Sequence, residues 1–211
     1  MIEVRELAFG YRRVEPIFTG LSWPFPRGQV SGITGRSGSG KSTLLYLLGL
    51  LLTPWSGRII IGGEDFGTRP DRIRSVVRAR RIGFVFQDAS LDPTRSVIDN
   101  VLESAIYSGM RRKEALVRAQ NLLERFEVGL RADHKPGEVS GGQAQRVAMC
   151  RALLNRPSVI LADEPTGNLD IDTARMVIEA LRRSARDDGT TVIMASHDAQ
   201  VVAACDEVLA L

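Results

Sequence analysis

The sequence predicts an α/β chain: a mostly parallel sheet with helices on both faces, an N-terminal antiparallel β part, and a helical insertion. Three runs carry the prediction. Gln29 to Thr34 (QVSGIT) leads into a glycine-rich loop, Val159 to Ala162 (VILA) into Asp163 and Glu164, and Thr190 to Ala195 (TTVIMA) into Ser196 and His197. Continuous apolar strands of this length, separated by helical stretches, belong to a sheet covered on both faces.

Helices are expected at Lys41 to Leu51, Gly142 to Leu154 and Thr173 to Ala185. In the last, Val177, Ile178, Leu181 and Ala185 recur at spacings of three and four, and Gly189 follows as a stop. In the opening third, Ile2 to Ala8, Arg58 to Ile61 and Ile82 to Phe86 read as short strands joined by turns, which predicts an antiparallel sheet beside the parallel core. From Asp99 to Arg131 the pattern turns helical. Ala115, Leu116, Ala119, Leu122, Leu123 and Phe126 form one apolar face, with Glu114, Arg118, Glu124 and Arg125 off it. A last strand is expected at DEVLAL, the end of the sequence.

Composition bounds the function. With 211 residues, 44% hydrophobic and 25% charged, the chain has room for a substantial core and reads as an ordinary globular protein. The longest apolar run, Leu44 to Leu52, is broken by Gly49 and falls short of the roughly 20 residues of a membrane span. A buried core helix is expected there. The N-terminus, MIEVRELAFGYRR, has no apolar stretch before a small-residue cleavage site, hence no secretory signal. Cys150 and Cys205 stand far apart without a CxxC spacing, which predicts a reducing, cytoplasmic setting without disulfide or zinc chemistry. The net charge of +3 is mild. The arginines of Arg69 to Arg81 and the cluster Arg111-Arg112-Lys113 read as solvated faces, since no aromatic residue interleaves with them to stack on bases. No nucleic-acid partner is expected.

The chemistry begins at Gly35-Arg36-Ser37-Gly38-Ser39-Gly40-Lys41-Ser42, followed by Thr43, which fits G-x-x-x-x-G-K-[ST] between a strand and a helix. A flexible Gly/Ser linker is the plain alternative, and the flanking elements decide against it. Such a loop curls backbone N–H groups around phosphates, and the helix N-terminus adds partial positive charge. Lys41 supplies a compact cation for the β- and γ-phosphates, and Ser42 a hydroxyl for Mg²⁺. Only three of the 28 basic residues are lysines, so a lysine at this position points to its ammonium geometry.

Asp163 and Glu164, at the end of VILA, lie where an open α/β sheet binds ligands, at its carboxyl edge. Asp163 is placed to hold Mg²⁺, and Glu164 to orient or deprotonate the attacking water. A third element is Val139-Ser140-Gly141-Gly142-Gln143, a Ser-Gly-Gly turn opening a helix through Val147, Ala148, Arg151 and Leu154. Ser140 could serve as a plain helix cap. Two glycines at a helix N-terminus also make a second anion site, which one nucleotide does not need unless the two sites come from different subunits.

These motifs, in this order and spacing, resemble those of the ATP-binding subunits of the ABC transporter family, and the resemblance runs from Leu7 to about Leu211. It implies a P-loop NTPase core within one ATP-binding domain, 1–211. Residues 1–87 and 155–211 then form the core, and about 88–154 a helical subdomain carrying the signature motif. It also implies ATP and Mg²⁺ as ligands and a head-to-tail dimer, homo- or heterodimeric, in which the SGGQ turn of one subunit caps the γ-phosphate held by the other. Tyr11 resembles the aromatic that stacks on adenine. Gln87, closing IGFVFQ, resembles the glutamine that reaches Mg²⁺ and reports to a membrane partner. Asn168-Leu169-Asp170 resembles the D-loop that crosses the dimer interface, and His197 the switch histidine on the γ-phosphate. His134, in RADHKPGE, carries no motif.

Val139 stands where the family usually has leucine, and Ala144 where polar residues are frequent. With no span of its own, the chain requires separate permease subunits and is expected on the inner face of the cell membrane. PTGNLD resembles the lipoprotein-release, macrolide-export and cell-division branch, whereas Ser90-Leu91-Asp92-Pro93 resembles peptide importers. Other classes share parts of the pattern. A P-loop kinase would not need SGGQ, a chromosome-maintenance ATPase would carry long coiled-coil insertions, and an ATP-driven switch of a non-transporting membrane complex differs only in its partner.

Overall fold

The computed structural model describes residues 1–167 and 169–211. The first part of the chain forms β1 (Ile2–Phe9), β2 (Phe18–Phe25), β3 (Val30–Thr34), α1 (Lys41–Leu48), β4 (Ser56–Ile61) and β5 (Glu64–Asp65). Then come α2 (Asp71–Arg81), β6 (Ile82–Val85), α3 (Val97–Ser108), α4 (Arg112–Arg125) and α5 (Gly141–Leu153). The last part holds β7 (Val159–Asp163), α6 (Ile171–Asp188), β8 (Thr191–Ala195), α7 (Ala199–Ala203) and β9 (Glu207–Ala210).

The strands make two sheets. One is antiparallel, ordered β2-β1-β4-β5; the other is parallel throughout, ordered β6-β7-β8-β3-β9. In the parallel sheet the two-residue alternation serves two cores at once. Ile160, Ala162, Val192 and Met194 join α3, α4, α5 and α6 in one core, while Val159, Leu161, Ile193 and Ala195 join α1 and the antiparallel sheet in the other. With both faces buried, β7 and β8 read as unbroken apolar runs.

Arg69, Arg72, Arg80 and Arg81 are exposed as expected of a solvated face, and Arg74 departs from it. The stretch forms α2, and Arg74 is buried at 5% exposure, donating to the carbonyls of Leu50 and Leu52 at 2.6 Å each and to the Thr53 hydroxyl. Burial, and then the neighbouring Arg78 charge, holds the Arg74 pKa below its ordinary value. The cation sits there because α1 stops at Leu48, not Leu51, and leaves carbonyls to satisfy where Leu50 takes a left-handed turn at φ 57°. Helix α2 also changes the place of Ile82 to Phe86. As the crossover before β6, it lays that strand parallel to β7, with Ile82 opposite Val159, at the edge of the parallel sheet rather than in the antiparallel one.

Smaller differences have local causes. β2 was absent from the expected strands because Gly20 and Pro24 interrupt it; as an edge strand it tolerates both. Helix α6 starts at Ile171 because Asp170 caps it, and runs to Asp188 before Gly189 ends it at φ 64°. On α4, Leu116 is exposed at 38%, so it falls outside the buried face. Arg118 turns inward instead, donating to Leu154 O at 2.6 Å and Leu153 O at 3.1 Å at the end of α5. No described helix is long and apolar enough to cross a membrane.

Candidate functional site

The carboxyl ends of β3, β7 and β8 converge on one cleft of about 690 Å³. The loop after β3 supplies its floor. Gly40, at the start of α1, has φ 100°, and a Cβ there would meet Ile17 Cγ2 at 2.6 Å. Gly35 has φ 151°, and a Cβ would lie 2.5 Å from the Ser39 hydroxyl. Glycine is therefore required at both. No side chain caps α1, so its first amides face the loop, and the Ser39 hydroxyl is buried with no partner among the described residues. A buried hydroxyl beside free amides is the donor set that a phosphate satisfies.

Lys41 spans the loop, with Nζ donating to Gly35 O at 3.0 Å and Arg36 O at 3.2 Å. Ser42 Oγ donates to Asp163 Oδ1 at 3.0 Å, bringing the end of β7 onto the first turn of α1. Burial pushes the Asp163 carboxyl above the ordinary aspartate range; the Ser42 hydrogen bond opposes this, the Glu164 charge adds to it and Lys41 opposes it. These hard oxygen donors suit Mg²⁺. Among the described residues no group of three or more His, Cys, Asp or Glu side chains could hold a metal.

Glu164 turns out of β7 in the left-handed region at φ 44°, an uncommon conformation for a residue with a side chain, and its N–H donates to Ala195 O at 2.9 Å. Both carboxylate oxygens are engaged. Ser196 Oγ donates to Oε2 at 3.0 Å, and His197 Nδ1 lies 2.7 Å from Oε1. The histidine is 78% exposed while Glu164 is 14% exposed, so the acid is recessed and the imidazole reaches outward. Ser196, marked in the sequence only as the end of the TTVIMA run, acquires a role through this contact with Glu164.

Tyr11, Gly35, Arg36, Ser37, Gly38, Gly40, Lys41, Ser42, Thr43, Gln87, Glu164 and His197 all line this cleft. Tyr11 is exposed at its mouth, its ring edge-on to Phe9 and its hydroxyl 3.4 Å from Thr43 Oγ1. Gln87 lies two residues past the end of β6 rather than closing the strand. A second cleft, of about 580 Å³, lies by the amino ends of β6, β7 and β8, with Arg27, Arg80, Arg81, Arg118 and Arg156 in its wall. Those arginines gather where α2, α5 and α6 end, as cations do at helix C-termini.

The turn at 140–143 does not line the phosphate-loop cleft. Ser140 caps α5 in a reciprocal box: its Oγ accepts from Gln143 N at 3.2 Å, and its N–H donates to Gln143 Oε1 at 2.9 Å. A Cβ on Gly141 would meet nothing within 4 Å, so the turn faces open space there, whereas one on Gly142 would lie 3.9 Å from Asp170 Oδ2. Asn168 of the expected D-loop lies outside the described residues. Asp170 is a helix cap, accepting from Asp172 N, Thr173 N and Thr173 Oγ1. Asp92 likewise serves its own turn, accepting from the Thr94 backbone and hydroxyl.

Hydrogen bonds from Thr173 hold the Asp170 carboxyl below the ordinary aspartate range. A lowered native pKa contributes stability above the unfolded value, about 3.9, and loses it as pH falls through the native value. The melting-temperature gap between wild type and Asp170→Ala is expected to be open at pH 7 and to close in acid below about pH 4. A gap independent of pH would contradict the charged cap.

Three comparisons bear on this geometry. Residues 18–167 match the family model described as ABC transporter. The chain is 41% identical over 200 residues to "Lipoprotein-releasing system ATP-binding protein LolD 1" of Rhodospirillum rubrum, covering 95% of this chain and 88% of that one. It is 43% identical over 195 residues to the protein named LolD of Jannaschia sp., covering 92% and 86%. Among solved structures it superimposes on the ATP-binding cassette MJ0796, in a dimeric post-hydrolysis state bound to ADP and Pi, with TM-score 0.93 and 33% identity, covering 100% of this chain and 94% of that one.

Proposed function

The chain belongs to the ABC transporter family as an ATP-hydrolysing subunit, and on that premise we propose that two copies close head-to-tail around two ATP molecules to drive a membrane permease. The observation that carries this reading is a division within one chain. The phosphate loop, Glu164 and His197 share a cleft, while the capped glycine turn at 140–143 lies outside it. That turn is supplied to the other subunit's nucleotide.

In this reading the adenine stacks on Tyr11, and the amides of Gly35 to Thr43 with Lys41 cradle the β- and γ-phosphates. Ser42, Asp163 and Gln87 would hold Mg²⁺, which when bound neutralises phosphate charge. Glu164 accepts a proton from the attacking water, and Ser196 and His197 fix the carboxylate's orientation. His197, and Ser140 to Gln143 of the partner subunit, stabilise charge on the γ-phosphoryl group as it transfers. Asn168, Leu169 and Asp170 cross between subunits, and Asp170 beside Gly142 ties that crossing to the signature turn of its own chain. Residues 1–87 and 155–211 act as the core, with about 88–154 as a helical subdomain against which the permease bears.

Identity of 40 to 43% with proteins named as lipoprotein-releasing ATP-binding subunits, over 92% or more of this chain, supports placing its complex in that branch, as does PTGNLD. The SLDP resemblance to importers carries less weight, because Asp92 has a local structural role. Purification of the chain from its native membranes is expected to bring down partner chains with several apolar spans of about 20 residues each. A partner without spans would refute the transporter assignment.

A further inference from the structure

Helix α5 buries Val147, Ala148, Met149 and Cys150 completely, yet Gln145 on the same helix is also buried, at 4% exposure. Burying a primary amide is unfavourable unless its hydrogen bonds are made. Here Nε2 donates to Phe86 O at 3.1 Å and reaches Pro165 O at 3.5 Å. Phe86 immediately precedes Gln87, and Pro165 immediately follows Glu164. One side chain thus grips the backbone next to two groups assigned to ATP hydrolysis, on segments 59 and 20 residues away in sequence.

Ser140, the cap of the same helix, lies five residues earlier, or about 7.5 Å along a rigid axis. We infer that Gln145 is a positioning residue that locks the signature helix to the Gln87 segment and to the Glu164 turn, so that the three move as one unit. The inference rests on the roles proposed above for Glu164, Gln87 and the 140–143 turn. Glu164 is the group most exposed to a loss of this restraint, because its left-handed backbone must be held by its surroundings. An apolar side chain of equal length would fill the same space but leave both carbonyls without this donor. The turn carrying Glu164 could then relax while the phosphate loop, on the other side of β7, kept its shape. Gln145 therefore affects turnover, not nucleotide affinity.

The test compares Gln145→Met with wild type in the full-length chain, measuring kcat, the Kd for ATP and the melting temperature. Turnover is expected to fall roughly 10- to 100-fold, as for small displacements of catalytic groups, with ATP affinity within about twofold of wild type. Turnover within twofold of wild type would overturn the inference, and so would a parallel loss of ATP affinity. Should Gln145→Met fail to fold, Gln145→Asn, which keeps an amide one methylene too short, takes its place under the same limits. Failure of both to fold would assign Gln145 to the fold alone. Glu164→Gln measured alongside separates the two levels: if it retains full turnover, the proposed site is wrong, whereas normal turnover of Gln145→Met alone removes only this positioning role.

Discussion

Glu164→Gln is expected to bind ATP as wild type does and to hydrolyse it roughly 10²- to 10⁴-fold more slowly, the usual contribution of a positioned general base. The substitution preserves shape. Its amide oxygen can still accept from Ser196 Oγ, now 3.0 Å from Glu164 Oε2, and its backbone can keep the same turn. The ability to take a proton from water is lost, and the oxygen that meets His197 Nδ1 at 2.7 Å becomes an amide donor. Phosphate release in a single turnover gives the measurement, and a variant retaining a third or more of wild-type turnover would remove Glu164 from its assigned role.

Lys41→Ala is expected to weaken ATP binding by roughly 10- to 100-fold, the equivalent of a lost charge-assisted hydrogen bond or more. The ammonium contacts Gly35 O and Arg36 O, so it braces the loop besides its proposed place on the phosphates. Its removal takes away both a cation and a strut. Arginine should not rescue it, since a planar guanidinium is bulkier than an ammonium and the loop encloses a point charge. Titration with a fluorescent ATP analogue measures the effect; unchanged affinity would contradict the phosphate assignment.

Much of the fold was legible because the physics behind it is local. β7 and β8 are buried on both faces, so the runs Val159 to Ala162 and Val192 to Ala195 are wholly apolar and stand out. α2 was hidden because its composition is that of a surface, and only a tertiary need for donors at Leu50, Leu52 and Thr53 buries Arg74. β6 was legible as a strand but not as a parallel one, since four residues say nothing about their neighbour until the crossover helix is seen.

The site divides in the same way. The phosphate loop requires particular residue types at consecutive positions, glycine where φ is positive and lysine where a cation is needed, so a linear pattern reveals it. Asp163 and Glu164 were legible once a strand end had been located. Ser196 and Gln145 were not, because a serine and a glutamine acquire meaning only from the carboxylate and carbonyls brought to them across the fold. Asp170 carried a motif reading and proved also to be the cap of α6, a role that its spacing to Thr173 already allowed.

The central claim is that the phosphate-loop cleft is half of a site, completed by the 140–143 turn of a second copy. Sedimentation of the Glu164→Gln chain at saturating ATP and Mg²⁺ tests it most directly, because hydrolysis there is slowed by roughly 10²- to 10⁴-fold. The expected particle holds two chains of 23.1 kDa and two ATP molecules, and it returns to single chains when nucleotide is withdrawn. A single chain that remains alone with its cleft filled by ATP would contradict the claim.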